Sequence, residues 1–147
     1  MQHPARRVEL LLIEDDPVAA QLTRDALSHC DTISHVTVAV DGAQAMQVLR
    51  RESPATTRVR KPDAILLSLS GARSGGNDLL NKIKADESLR CIPVLVLSGL
   101  DAADDLHHIY SSHANCYIRK PADPEQLVDV VRAIERFWFG IVILPTR

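Results

Sequence analysis

Short apolar runs that recur along the chain are the feature that most restricts its fold. Val8–Ile13, Ala64–Leu67 and Ile92–Leu97 are each nearly continuous in Val, Ile and Leu, which is typical of strands buried on both faces of a parallel sheet. Two weaker runs, His35–Val40 with alternating valines and the short Cys116–Ile118, complete five predicted strands. Parallel neighbours need crossover connections, so helices must separate these strands and cover both faces of the sheet.

Five stretches with apolar residues at helical spacing follow the strands. The first begins at Pro17, with Asp16 as a suitable N-cap, and ends near His29. The others lie within residues 42–52, 79–83, 101–113 and 127–138. The alternation predicts the α/β class and a flavodoxin-like, doubly wound five-stranded parallel sheet of order 2-1-3-4-5.

The length and charge of the chain narrow its organisation and its partners. The 147 residues suit a single domain, predicted over residues 1–138, with an apolar C-terminal extension over 139–147. Seventeen basic and nineteen acidic residues give a net charge of −2, which favours neither nucleic acid nor an anionic membrane as a partner. The first apolar run is too short for a signal peptide or a membrane span.

Three cysteines are widely separated and form no C-x-x-C pair. We expect reduced thiols and a cytoplasmic location.

Polar residues follow two of the predicted central strands. Glu14 and Asp15 come directly after the first strand, and Ser68 follows the third. In the order 2-1-3-4-5 the carboxyl ends of these strands border one crevice, so the three residues should converge there. The acidic pair could instead only favour the start of the first helix, but acids directly after a buried strand more often mark a site.

Five segments resemble, in order and spacing, the motifs of response-regulator receiver domains of two-component signalling. They are Ile13–Pro17, Asp41–Gly42, Pro62–Leu67, Ile92–Ser98 and Tyr117–Pro121. The resemblance extends over nearly the whole chain. Within the family, the residues from 114 to 117 and the ending from 133 to 145 look most like single-domain regulators that partner bacterial and cyanobacterial phytochrome kinases.

This resemblance implies a phosphotransfer site in which two acidic residues and an acceptor aspartate hold Mg²⁺. Glu14 and Asp15 match the acidic pair and are the implied metal ligands. Lys120 matches the lysine that contacts phosphate oxygens, Ser98 the hydroxyl that shifts toward the phosphoryl group, and Tyr117 the aromatic switch.

The acceptor position departs from the family, because Ser68 stands where the resemblance implies an aspartate. The loop that follows, Ser70–Gly76, also lacks the usual proline and acidic residue, which favours a natural departure over a single introduced substitution. A serine hydroxyl is largely protonated at neutral pH and needs a base to attack. We therefore expect weakened Mg²⁺ binding, no catalytic residue and no phosphoaspartate.

The leading hypothesis is a degenerate receiver, or pseudo-receiver, that is not an enzyme. It would bind a sensor histidine kinase, for which the resemblance implies the phytochrome type, or another regulator, independently of phosphorylation. The resemblance implies docking through the first helix, around Val18 and Leu22, and the loops near Ser98 and Lys120. Two alternatives remain: a working receiver with Ser68 or Asp16 as substitute acceptor, and a small-ligand or nucleotide sensor that uses the glycine-rich loop.

The C-terminal segment is too apolar to be fully solvated. Seven of its residues would form a homodimer interface; they are Phe137, Trp138, Phe139, Ile141, Val142, Ile143 and Leu144. The alternative is that this segment folds back on its own sheet.

Overall fold

The computed structural model describes residues 7–50, 61–69, 76–98, 114 and 116–145. The predicted helix over 101–113 lies outside these residues, as does the glycine-rich loop apart from Gly76.

Five parallel strands form one sheet in the order β2-β1-β3-β4-β5, which confirms the predicted flavodoxin-like topology. The strands are β1 (Val8–Ile13), β2 (Ile33–Ala39), β3 (Ala64–Leu69), β4 (Val94–Ser98) and β5 (Cys116–Arg119).

Four α-helices are described, and the last continues into a π-helical segment. They are α1 (Pro17–Ser28), α2 (Gly42–Arg50), α3 (Gly76–Ala85), α4 (Pro124–Ile134) and the π segment (Glu135–Phe139).

Helices α1 and α4 begin in the same way. Each has proline at its first position and an aspartate N-cap, Asp16 or Asp123. The Asp16 carboxylate accepts the Val18 N–H at 3.0 Å, and Asp123 accepts the Glu125 N–H at 2.9 Å. Such a cap contributes about 1 kcal/mol to the stability of a helix. The predicted start of α1 is therefore confirmed.

Alternate residues of the strands enter two cores, one on each face of the sheet. Leu11, Ile13 and Ile65 belong to the core under α2 and α3. Leu10 and Leu66, from the same two strands, belong to the core under α1 and α4. Burial on both faces explains why β1, β3 and β4 are continuous apolar runs.

Two strand boundaries differ from the sequence prediction. Strand β3 extends beyond Leu67 because Ser68 and Leu69 pair with Leu97 and Ser98 of β4, so Ser68 lies within the strand. Strand β4 begins at Val94 rather than at Ile92, since a proline, here Pro93, cannot donate a hydrogen bond to a central ladder.

The C-terminal apolar residues divide between the interior and the surface. Phe139 is 7% exposed, and Trp138 and Leu144 pack against the core under α1 and α4. Ile141 is 71% exposed and Ile143 94% exposed. The segment thus folds back in part and leaves some of its apolar surface uncovered. Among the described residues, no helix has both the length and the hydropathy needed to cross a bilayer.

Candidate functional site

The crevice lies where the carboxyl ends of four strands meet. Glu14 directly follows β1, Ser68 is near the end of β3, Ser98 ends β4, and Lys120 directly follows β5. Ile13 of β1 pairs with Leu67 of β3, and this register places the next residues, Glu14 and Ser68, side by side. The predicted convergence of Glu14 and Ser68 is confirmed.

Glu14 is the centre of the site. It is 2% exposed, and its Oε1 accepts hydrogen bonds from the Ser68 hydroxyl at 2.8 Å and from the Lys120 ammonium at 2.5 Å. Its Oε2 accepts the backbone N–H of Asp16 at 3.3 Å. Burying a carboxylate without hydrogen-bond donors costs free energy of folding, and here each Glu14 oxygen has at least one donor.

Both the backbone and the side chain of Lys120 are fixed by contacts with other segments. Its backbone N–H donates to the Ser98 carbonyl at 2.8 Å, which continues the β4–β5 pairing past Arg119. Its side chain is 12% exposed and forms an ion pair with the Glu14 carboxylate. The lysine therefore points into the crevice and not into solvent.

The two serines of the site are buried, Ser68 at 8% and Ser98 at 0% exposure. The Ser68 hydroxyl hydrogen is directed to Glu14. Tyr117 is half-buried and packs against the core under α2 and α3.

The two residues of the predicted acidic pair differ in exposure. Glu14 is buried, whereas Asp15 is exposed. Asp16, also exposed, accepts the Val18 N–H as the cap of α1. Within the described ranges, no group of three or more His, Cys, Asp or Glu side chains is arranged to hold a metal ion.

One buried acid was not identified from the sequence. Asp63 is 3% exposed at the start of β3, and its Oδ2 accepts the Glu9 N–H of β1 at 2.8 Å. This bond fixes the amino ends of two central strands, opposite the crevice. An acid directly before a buried strand was the only available signal.

A cavity of about 300 Å³ also lies at the amino edge of the sheet. Its lining includes Asp63, Cys91, Pro93 and Pro145. It is separate from the crevice at the carboxyl ends of the strands, so it gives no support to a ligand sensor built on that crevice.

Comparison with known proteins gives one consistent family. Residues 10–132 match the family model described as response regulator receiver domain. The response regulator Rcp1 of Synechocystis sp. is 34% identical over 137 residues, which cover 92% of this chain and 92% of Rcp1. The probable methanogenesis regulatory protein FilR2 of Methanothrix harundinacea is 34% identical over 131 residues, covering 89% of this chain and 83% of FilR2.

Two solved structures are similar over nearly their whole length. The phosphorylated cyanobacterial phytochrome response regulator RcpA superposes with a TM-score of 0.88 at 37% identity. The match covers 95% of this chain and 99% of RcpA. The Mn²⁺-bound form of Rcp1 superposes with a TM-score of 0.83 at 33% identity, with the same coverage.

Proposed function

This chain belongs to the response regulator receiver domain family, and from that premise we propose that it is a receiver without a phosphoacceptor aspartate. Ser68 occupies the acceptor position in this proposal. The protein would act in two-component signalling by occupying an interface on its partner, independently of phosphorylation. The observation that carries the proposal is the contact of the Ser68 hydroxyl with a carboxylate that is already paired with Lys120.

A serine in this position needs a base to become a nucleophile. Glu14 is the described carboxylate in contact with it, and the same Oε1 atom also accepts the Lys120 ammonium at 2.5 Å. The negative charge that would draw the Ser68 proton is therefore already compensated. The contacts of Glu14 therefore favour a stable hydrogen-bonded cluster over phosphoryl transfer.

The substitute-acceptor alternative receives no support from the contacts of Asp16. Its carboxylate is committed to the N-cap of α1, and this interaction would be lost on modification. The ligand-sensor alternative relied on the loop over residues 70–76, of which only Gly76 is among the described residues.

We further propose that the crevice binds Mg²⁺ more weakly than that of a receiver with three carboxylates. The implied ligands are one buried carboxylate with three donors and one exposed carboxylate, Glu14 and Asp15. Magnesium requires close to octahedral oxygen coordination. The donor set that the structure describes does not fit this requirement well.

For the partner, we propose a sensor histidine kinase, with the phytochrome class supported by the similarity to RcpA. Val18 offers apolar docking surface on the first turn of α1, because it is 67% exposed, whereas Leu22 packs partly against the core. Pull-down of a phytochrome-type histidine kinase should be equal with and without a phosphodonor. Val18→Ser should weaken capture, and Ile143→Ser, in the exposed part of the C-terminal segment, should not.

We also propose a homodimer through the uncovered part of the C-terminal segment. Phe137, Ile141 and Ile143 are 52%, 71% and 94% exposed, and they follow one another along the chain within seven residues. A group of exposed apolar side chains so close together in sequence supports an interface.

Light scattering after gel filtration tests the dimer. The double variant Ile141→Ser, Ile143→Ser should be monomeric at concentrations where the unchanged protein is dimeric. Val40→Ser is the matched control, since Val40 is also 52% exposed. It follows the carboxyl end of β2, whereas Glu135 of the π segment contacts Thr32, just before the amino end of that strand. A monomeric unchanged protein would contradict the dimer.

Intact mass after incubation with Mg²⁺ and acetyl phosphate tests the central proposal. The unchanged protein should gain no phosphoryl group, whereas Ser68→Asp should gain one because it restores the acceptor carboxylate. Ser68→Asn has the same size without the charge and should gain none. A phosphoryl group on the unchanged protein would overturn the proposal, and peptide mapping would then identify the acceptor.

A further inference from the structure

We propose that the Lys120 ammonium is a built-in cation that takes the place of a divalent metal in the crevice, so that this receiver is insensitive to Mg²⁺. The inference builds on the proposed function and goes beyond weakened binding, because it assigns the charge compensation to a residue of the chain. Its experiment measures response to metal, so it can fail separately from the experiment on phosphoryl transfer.

The first step of the argument is the occupancy of the Glu14 carboxylate. Three donors, from Ser68, Lys120 and Asp16, point at its two oxygens. A metal ion that bound the Oε1 atom would have to displace an ammonium that lies 2.5 Å away. Coordination through Oε1 would therefore require breaking an ion pair that is already formed within the protein.

The second step is the charge balance. The paired side chains of Glu14 and Lys120 are 1% and 12% exposed, and they carry one negative and one positive charge. Ser68, which contacts the same carboxylate, is neutral. A buried cluster with no net charge gains little from a divalent cation, whereas clustered carboxylates need one because like charges at short range disfavour joint ionisation.

The third step is the position of Ser68. Its Oγ lies 2.8 Å from Glu14 Oε1, so an aspartate there would bring two carboxylates together over one lysine. The excess negative charge would recreate the need for a metal. The identity of residue 68 therefore decides whether the lysine alone is sufficient.

The other described acids near the crevice do not change this balance. Asp15 is exposed to solvent, and Asp16 is exposed and caps α1. Water screens exposed charges more effectively than buried ones. The buried charge that a metal would neutralise is therefore that of Glu14, which Lys120 already neutralises.

Thermal unfolding of the full chain in EDTA, Mg²⁺ or Mn²⁺ tests the inference with four proteins. The Tm of the unchanged protein should be the same in all three solutions, and so should that of Ser68→Asn. Ser68→Asp should gain about 4 °C at a tenfold excess of metal over its Kd. Lys120→Met, which leaves Glu14 without its cation, should also gain a metal response.

A metal-dependent rise of the Tm in the unchanged protein would overturn the inference, whatever the mass experiment shows. So would a Lys120→Met variant that folds and does not respond to metal. If Lys120→Met does not fold, calorimetric titration of Mg²⁺ into the unchanged protein and into Ser68→Asp decides the matter. Heat of binding in Ser68→Asp alone supports the inference, and heat of binding in the unchanged protein contradicts it.

Discussion

Glu14 connects three segments that are distant along the chain. Its carboxylate accepts hydrogen bonds from β3, from the residue after β5 and from the residue that caps α1. Lys120 lies 106 residues away in sequence, so the ion pair closes a long loop of the chain. We therefore expect Glu14 to affect the stability of the protein as well as its function.

Replacement of Glu14 by glutamine should destabilise the protein. The Lys120 ammonium would remain largely buried without its counter-charge, and breaking a buried pair from one side costs about 3 kcal/mol. Urea denaturation of Glu14→Gln at neutral pH measures this loss. The double variant with Lys120→Met removes both charges, so its loss should be smaller than the sum of the two single losses; additive losses would show that the two side chains do not interact.

The three cysteines should differ in reactivity. All are free thiols, and Cys91 is exposed. Burial raises the pKa of Cys116 to about 11, partly offset by a hydrogen bond with Trp138. Burial, and then the nearby Glu135 carboxylate, raise the pKa of the Cys30 thiol. Because the thiolate is the reactive form, iodoacetamide at mildly alkaline pH should add one group quickly. Cys91→Ser should abolish that fast addition, and its persistence would contradict the assignment.

The raised pKa of Cys116 also predicts a dependence of stability on alkaline pH. The unfolded thiol, with its ordinary pKa of 9.0, ionises before the folded thiol does. The contribution of this group is therefore complete below pH 9 and declines as the pH rises toward 11. Replacing Cys116 by serine should remove that part of the decline, measured by urea midpoints across this range; an unchanged slope would contradict it.

At the scale of single elements, the π segment is the most unusual feature of the described chain. The Phe137 carbonyl accepts from the N–H groups of both Ile141 and Val142, at 3.1 and 2.9 Å. The segment is tied to the start of β2, because the Thr32 hydroxyl donates to Glu135 at 2.6 Å. Short π-helical insertions often occur at functional sites, and this one contains Phe137 and precedes Ile141 and Ile143, the exposed residues of the proposed dimer interface.

Alanine substitutions at two glycines near helix ends should change the free energy of unfolding in opposite directions. A Cβ at Gly140 would lie 2.7 Å from the Arg136 carbonyl oxygen, closer than the backbone can accept, whereas at Gly42 it would meet only the Leu79 side chain at 3.8 Å. Gly140→Ala should therefore lower the free energy of unfolding by about 1–2 kcal/mol. Gly42→Ala, in α2, should raise it by about 0.5 kcal/mol. Thermal or urea unfolding measures both, and a neutral Gly140→Ala would show that the turn can relax.

At the scale of the whole molecule, the central strands of the sheet should be better protected from amide exchange than the edge strand β5. Strands β3 and β4 have neighbours on both sides, and Ile65, Leu66 and Leu95 are completely buried. The residues of β5 are partly or fully exposed. Amide exchange in the described core should therefore be limited by global unfolding.

Hydrogen exchange followed by mass spectrometry should show this order directly. Peptides from β3 and β4 should exchange last, and peptides from β5 should exchange well before them. The measurement is made at a protein concentration where light scattering shows a single oligomeric state. Equal protection of β5 and β3 would contradict the prediction.

Much of this fold follows from local pattern. The apolar runs predict β1, β3 and β4, and Asp16 and Pro17 predict the start of α1, because burial on two faces and helix capping leave clear traces in sequence. The strand ends do not follow from local pattern. Strand β3 continues through Ser68 and Leu69 because these residues pair with Leu97 and Ser98 of β4. Ladder pairing involves a partner that local sequence does not contain.

The sequence by itself determined the order of the sheet and the meeting of Glu14 with Ser68, because parallel strands present their carboxyl ends at one edge. Only the tertiary structure decided that Lys120 pairs with Glu14, that Asp15 is exposed, and that Phe139 is buried while Ile143 is 94% exposed. Neighbouring residues such as Glu14 and Asp15 have nearly the same local sequence but opposite environments. Their contacts depend on distances of a few ångströms between segments that only the folded chain brings together.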